Sequence, residues 1–283
     1  MEGRLSVDRV GGWVRVALVV AICPLSVVGQ VASGLAKATA APPGWMEKWV
    51  GVYGRQDFLG KEVPPGFKVL NPYKDEMDER IVSQLQPWAR LRRESIDPEV
   101  EDPGILCKAT GLFRANSTEG FELLVSPGRI TLIGMGGGGI NTGGIRRIYL
   151  NRPHLKSPAP SWNGDSVGHW EGDTLVIDTI GFNDRTWLGP DREPHTEELH
   201  VVERLRFVAN GTYLEHLWTF DDPQALTSSF SLSRYHKKLA ADTPVAENVC
   251  EDTPDARRAW LKIHNRAVEE WDEIRRGVGA TAQ

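Results

Sequence analysis

Glu203 stands out chemically, because strand alternation places it among apolar neighbours. In the run 197–208 alternate residues share a face, which groups Leu199, Val201, Glu203, Leu205 and Phe207 opposite His200, Val202, Arg204 and Arg206. A carboxylate in that company either pairs with a cation, Arg147 being a candidate, or has its pKa raised by desolvation, a state suited to a general acid or base. Asp178, beside Val176 and Ile180, poses the same question. His216, on a face with Leu214, Trp218 and Phe220, reads either as a hydrogen-bonded core histidine or as a polar group for a ligand.

His154, His169, His195 and His200 fall in or near connections at strand ends, where binding groups accumulate. Neutral imidazoles from His154, His195 and His200 would suit a transition metal, with Glu197 or Asp165 supplying oxygen. The sequence holds no His-Glu-x-x-His, and a regular strand sends His195 and His200 to opposite faces. The primary expectation is therefore no metal and no cofactor, with His154 and His195 assisting Glu203 and Asp178 in proton transfer. Cys-x-x-Cys is absent from the sequence, and Ser166, within Gly164-Asp165-Ser166-Val167-Gly168, has no obligatory base beside it.

The elements that must carry these groups are strands. From Phe121 onward the apolar period is close to two, and the spacing predicts strands over 121–125, 129–133, 145–150, 166–170, 174–180, 197–208, 212–220 and 227–237. Glu171-Gly172-Asp173 and Asn210-Gly211 mark tight turns between successive strands. Eight strands joined mainly by short turns predict an antiparallel up-and-down meander that curls into a closed or half-closed barrel, because curling pairs or covers its edges. The run Gly134 to Gly144 lacks both a following helix and a Gly-Lys-Ser/Thr ending, so it reads as a hairpin loop rather than a phosphate cradle.

Helical pieces flank the strands. Trp45, Trp49 and Val52 lie at helical spacing, and a stretch from about Asp75 sets Met77, Ile81 and Leu85 on one side before Pro87, with Trp88 and Leu91 continuing beyond. These tryptophans read as caps over a core. A C-terminal helix begins with Thr253 and Pro254, carries Trp260, Ile263, Ala267, Trp271 and Ile274 on one face, and is expected to pack on the barrel.

The first forty residues have the order of an export signal: Arg4, Arg9 and Arg15, an apolar run from Val16 to Val28, then small residues ending near Ala40, where cleavage is expected. An uncleaved anchor is the alternative. Export would leave Cys107 and Cys250 as an even pair in an oxidising compartment, periplasmic or extracellular, where they join in a long-range disulfide or stay as buried thiols. The net charge of -5, with both signs mixed along the chain, excludes a nucleic-acid stripe. The expected organisation is a signal over 1–40, a helical and loop segment over 41–118, the barrel over 119–250 and a helix with tail over 251–283.

Read together, Arg146-Arg147-Ile148-Tyr149-Leu150-Asn151-Arg152-Pro153-His154, the stretch from Gly164 to Asp184, Pro194-His195-Thr196-Glu197 and Leu199-His200-Val201-Val202-Glu203-Arg204 resemble a family of exported bacterial proteins of unknown function. The likeness spans about Leu106 to Cys250, and the family implies a lipocalin-like barrel. Where such proteins tend to carry Cys-x-Pro-x-Gly-x-Pro-Arg, this chain has Cys107-Lys108-Ala109-Thr110-Gly111-Leu112-Phe113-Arg114, and its glycine-rich loop also departs from the pattern.

The functional expectation is a barrel that holds a small apolar or aromatic molecule in its lumen, with Tyr149, Trp170, Trp187 and Trp218 as walls and Arg147 and His216 as polar contacts. Cofactor-free isomerisation, hydration or cyclisation is the enzymatic form of that reading. A non-catalytic carrier and a metal-dependent hydrolase or oxygenase are the alternatives.

Overall fold

Alternating apolar side chains need a covered inner face, and the chain provides one by rolling its strands into a ring. The computed structural model describes residue 45, residues 48–51, 75–112, 114, 121–134, 144–189, 191–243, 250 and 254–264. Strands β2 (Phe121–Ser126), β3 (Arg129–Gly134), β4 (Ile145–Leu150), β5 (Asp165–Glu171), β6 (Thr174–Ile180), β7 (His200–Val208), β8 (Tyr213–Asp221) and β9 (Phe230–Lys238) form one curled, mixed sheet in sequence order. The short β1 (Lys48–Gly51) pairs antiparallel with both β2 and β9 and closes it into a barrel. The fold is mainly β and mostly antiparallel, consistent with the lipocalin-like expectation.

Two elements differ from expectation. The segment around Trp49 is a strand rather than a helix, because there its backbone satisfies two sheet edges that would otherwise stay open. The pairing of β4 with β5 is parallel, Ile148 opposite Ser166 and Leu150 opposite Gly168. A parallel neighbour requires a crossover rather than a tight turn, and residues 151–164 supply it. The other neighbouring strands pair antiparallel, including β3 with β4 across the glycine-rich run. In the β5–β6 hairpin Gly172 takes φ +65°, the backbone state that its tight reversal needs.

Two apolar clusters occupy the two ends of the barrel. One joins Val201, Trp218, Phe220, Phe230 and Leu232 to Ile81 of helix α1 (Asp75–Gln84), Ala89 of helix α2 (Pro87–Ser95) and Leu85 between them, with Leu112, Phe182, Leu188 and Leu199 also in it. The other gathers Trp45 with Phe121, Leu123, Ile130, Leu132, Ile148, Leu175, Ile177, Leu205 and Leu214. Trp88, expected as a cap, is exposed, as is Leu91; the Trp88 indole instead donates to the Gln224 carbonyl at 2.7 Å.

Helix α4 (Pro254–His264) buries Ala256, Ala259 and Leu261 and leaves Ile263 exposed. It packs chiefly against α3 (Pro98–Glu101), where Lys262 bridges Asp97 and Glu99 at 2.8 Å each, rather than against the barrel wall. Cys107 and Cys250 form the expected disulfide with Cα atoms 5.5 Å apart. The export-like segment, the loop 54–72, the glycine-rich residues 135–143 and the chain beyond His264 lie outside the described residues.

The disulfide joins residues 143 positions apart, so its removal frees a long loop in the unfolded chain. Cys107→Ser with Cys250→Ser is expected to cost about 2–5 kcal/mol in urea titration. An unchanged midpoint and slope would refute that contribution.

Candidate functional site

The barrel interior carries a belt of polar side chains between its two apolar clusters. Inward positions of consecutive strands supply it: Arg146 from β4, Ser166 from β5, Thr179 from β6, Glu203 from β7, His216 from β8, and Arg234 and His236 from β9, all buried. Arg146 Nε donates to Ser166 Oγ at 3.0 Å, and its Nη2 donates to Thr179 Oγ1 at 2.8 Å and also to the Glu203 carboxylate. The second Glu203 oxygen accepts from His216 Nε2 at 2.9 Å, and the His216 ring stacks on Trp218 with centroids 3.5 Å apart.

Burial alone would raise the Glu203 pKa, but the Arg146 charge and the His216 hydrogen bond outweigh it and hold the carboxyl at about 2. Glu203 therefore stays ionised at neutral pH and does not supply a proton. Its cation is Arg146, not Arg147, which points outward. Burial pushes His216 down despite that carboxylate, so the neutral ring donates from Nε2 and leaves Nδ1 as an acceptor. Among the described residues, His216 Nδ1, Arg146 Nη1 and both ring nitrogens of His236 have no hydrogen-bond partner.

A second cluster lies on the outer face of β5–β7. Asp178 Oδ1 accepts from His154 Nε2 and His200 Nε2, each at 2.9 Å. His154 Nδ1 meets Asp165 Oδ2 at 3.0 Å, and Asp165 is held in turn by Arg152 and the Leu155 amide. Partial burial pushes the Asp165 carboxyl up, yet the Arg152, Leu155 and His154 hydrogen bonds prevail and lower it. A neutral imidazole has one N–H, so His154 donates to both carboxylates only when doubly protonated. The crossover 151–164 produces this cluster by carrying Arg152 and His154 back over the sheet. Asp178 consequently faces away from Glu203, since Ile177 is the residue opposite Glu203 and Val202 the one opposite Asp178.

The third place is the connection between β6 and β7. His195 is buried there, with Nδ1 2.9 Å from the Thr196 carbonyl and Nε2 2.7 Å from Thr186 Oγ1. Trp187 is adjacent in the chain, with the Arg114 guanidinium 4.9 Å from its ring centroid. Beside them opens a cleft of about 330 Å³ whose walls include Ile96, Leu106, Trp162, Thr186 and Trp187.

The expected site residues thus divide among three places. Glu203, His216 and Trp218 meet in the lumen, with Trp170 packed edge-on to Trp45 toward the second cluster. Asp178, His154 and His200 meet on the outer face, where Tyr149 is 38% exposed beneath Arg152 and so is no wall of the lumen. Trp187 lines the cleft and His195 meets Thr186 of its wall, apart from His154 and His200. Among the described residues no group of three His, Cys, Asp or Glu is arranged to hold a metal ion. Alternation with Ile148 and Leu150 would have selected Arg146 over Arg147, and alternation with Leu232 would have selected His236. No local signal marks Thr186.

Fold and geometry together define a closed β-barrel with an ionised interior belt and a cleft of about 330 Å³ beside Trp162 and Trp187. Comparison with protein-family models, curated proteins and solved structures finds no match to this chain.

Two acid-sensitive ranges follow from the buried groups. His195, His216 and His236 are all held neutral by burial, so below the ordinary 6.5 the unfolded chain binds protons that the folded one refuses and stability falls. Glu203 adds stability that is fully present above its ordinary 4.5 and is lost as pH drops toward about 2. Chemical denaturation as a function of pH checks both ranges. Glu203→Gln, which strands the Arg146 charge, is expected to cost about 3–5 kcal/mol near neutral pH, and adding Arg146→Met should recover part of that loss.

Proposed function

We propose that this chain is an exported barrel protein of the family its central motifs resemble, and that it binds a small aromatic molecule. The ligand site we assign is the cleft beside Trp162 and Trp187 rather than the lumen. The observation that carries this reading is a space of about 330 Å³ with two indole walls, the scale at which proteins enclose small ligands. Ile96, Val100 and Leu106 extend the apolar lining, while the charged groups at the same cleft are mixed, Arg92, Lys108 and Arg185 beside Glu101 and Asp184, with Arg92 already paired to Glu101. The disulfide supports an oxidising compartment, in keeping with the charge and apolar order of residues 1–40. Among the described residues no helix is long and apolar enough to cross a membrane.

A second reading keeps the ligand in the lumen. It is favoured by the Glu203–His216 pair, in which a fixed carboxylate orients a neutral imidazole whose Nδ1 remains able to accept a proton. In this form of acid/base chemistry His216, not Glu203, moves the proton.

Titration with 8-anilinonaphthalene-1-sulfonate, an aromatic anion, separates the two readings. Trp187→Ala and Trp162→Ala are each expected to weaken binding about tenfold, equivalent to ~1.4 kcal/mol. Unchanged affinity in both variants, with a loss in His216→Ala, would move the site to the lumen.

A further inference from the structure

The hydrogen bonds around His195 fix which nitrogen bears the proton. The Thr196 carbonyl can only accept, so Nδ1 at 2.9 Å donates to it. Burial pushes the ring toward its neutral form, which leaves a lone pair on Nε2. The Thr186 hydroxyl, 2.7 Å away, therefore donates its proton to that lone pair.

The carbonyl that orients the ring is itself clamped. The Thr196 amide and hydroxyl both donate to Asp222, at 2.6 and 2.9 Å, and Asp222 is fully buried with the Ala225 amide also on it. Asp222 thus fixes Thr196, Thr196 fixes the His195 ring, and the ring faces the hydroxyl. On another side of Thr186 stands Gly111, where a β-carbon would come within 3.0 Å of both Thr186 Cβ and Oγ1. The Gly111 main chain therefore packs closely against Thr186 on that side and holds it in place, and Gly111 at φ +90° occupies a backbone state that disfavours a replacement.

A hydroxyl, a base in hydrogen-bond contact and a group that orients the base are the parts of an activated nucleophile. Thr186 also forms part of the wall of the cleft beside Trp162 and Trp187. We propose that Thr186, with His195 as its general base, is the nucleophile of an acyl-transfer site that hydrolyses small aromatic esters bound in this cleft. The proposal rests on the cleft being the ligand site.

The reaction balances with water as the only co-reactant. Thr186 Oγ1 bonds to the ester carbonyl carbon as its proton passes to His195 Nε2. The bond from that carbon to the alcohol oxygen then breaks, and the alcohol leaves with the proton from Nε2. Water attacks the acyl-threonine, His195 takes and returns a proton, and the acid departs with the Thr186 hydroxyl restored.

The test uses the full chain and p-nitrophenyl acetate. The expected result is a burst of p-nitrophenolate stoichiometric with protein and an acetyl group that peptide mass spectrometry places on Thr186. Thr186→Val and His195→Gln should reduce the burst about 100-fold or more, while Thr186→Ser, which keeps a hydroxyl at that place, should retain it. Absence of acetyl on Thr186 in the wild-type chain overturns the proposal, as does a burst unchanged in Thr186→Val. Binding of 8-anilinonaphthalene-1-sulfonate with the Trp187 dependence described above, but no acetylation, sinks the nucleophile alone. Loss of that Trp187 dependence sinks the cleft reading with it.

Discussion

The ion pair of Arg146 with Glu203 is the constraint to which the barrel's interior conforms. Both charges are buried, so each needs the other and a set of hydrogen bonds at fixed positions on separate strands. Residues from β4, β5, β6, β7 and β8 must be in register for Ser166, Thr179 and His216 to reach the pair. A slip of one residue in any of these strands would turn its member outward and leave a buried charge without a partner. The apolar clusters at both ends supply burial without direction; the belt between them supplies direction.

The same strands show how one barrel wall separates two kinds of chemistry. Asp178 and Glu203 lie on adjoining strands, one residue apart in register, yet the pleat sends one to the surface histidines and the other to the interior. The crossover 151–164 gives the outer cluster its second histidine, and the connection after β6 folds over the capped end to place His195 beside Thr186. Loops thus carry the cleft-facing groups and add Arg152 and His154 to the outer face, while strands carry the buried belt and the outward Asp165, Asp178 and His200. That division is physically natural, because a strand fixes a side chain's direction through its neighbours whereas a loop can approach from another side.

Much of the architecture was legible in the chain. The apolar residues Leu175, Val176, Ile177 and Ile180 marked a strand that needs neighbours on both sides, and β4 and β6 fall where the pattern places them. Glu203 faces inward as alternation required. Cys107 and Cys250, 143 positions apart, join as their even number suggested. The strand at Trp49 was not legible, because four residues hold too little periodicity to separate a strand from a helical turn. The parallel pairing of β5 was hidden for another reason: a long connection fixes neither the direction of return nor the face it crosses.

By itself the sequence determined which residues alternate, where the chain turns and which groups hold a charge or a titratable proton, since these follow from local geometry and residue chemistry. Tertiary structure alone decided that Glu203 meets Arg146 rather than Arg147, that the titratable groups divide among lumen, outer face and cleft, and that Thr186 meets His195. Those contacts join separate strands or opposite ends of a loop, and closing the barrel is what brings them within a hydrogen bond's reach.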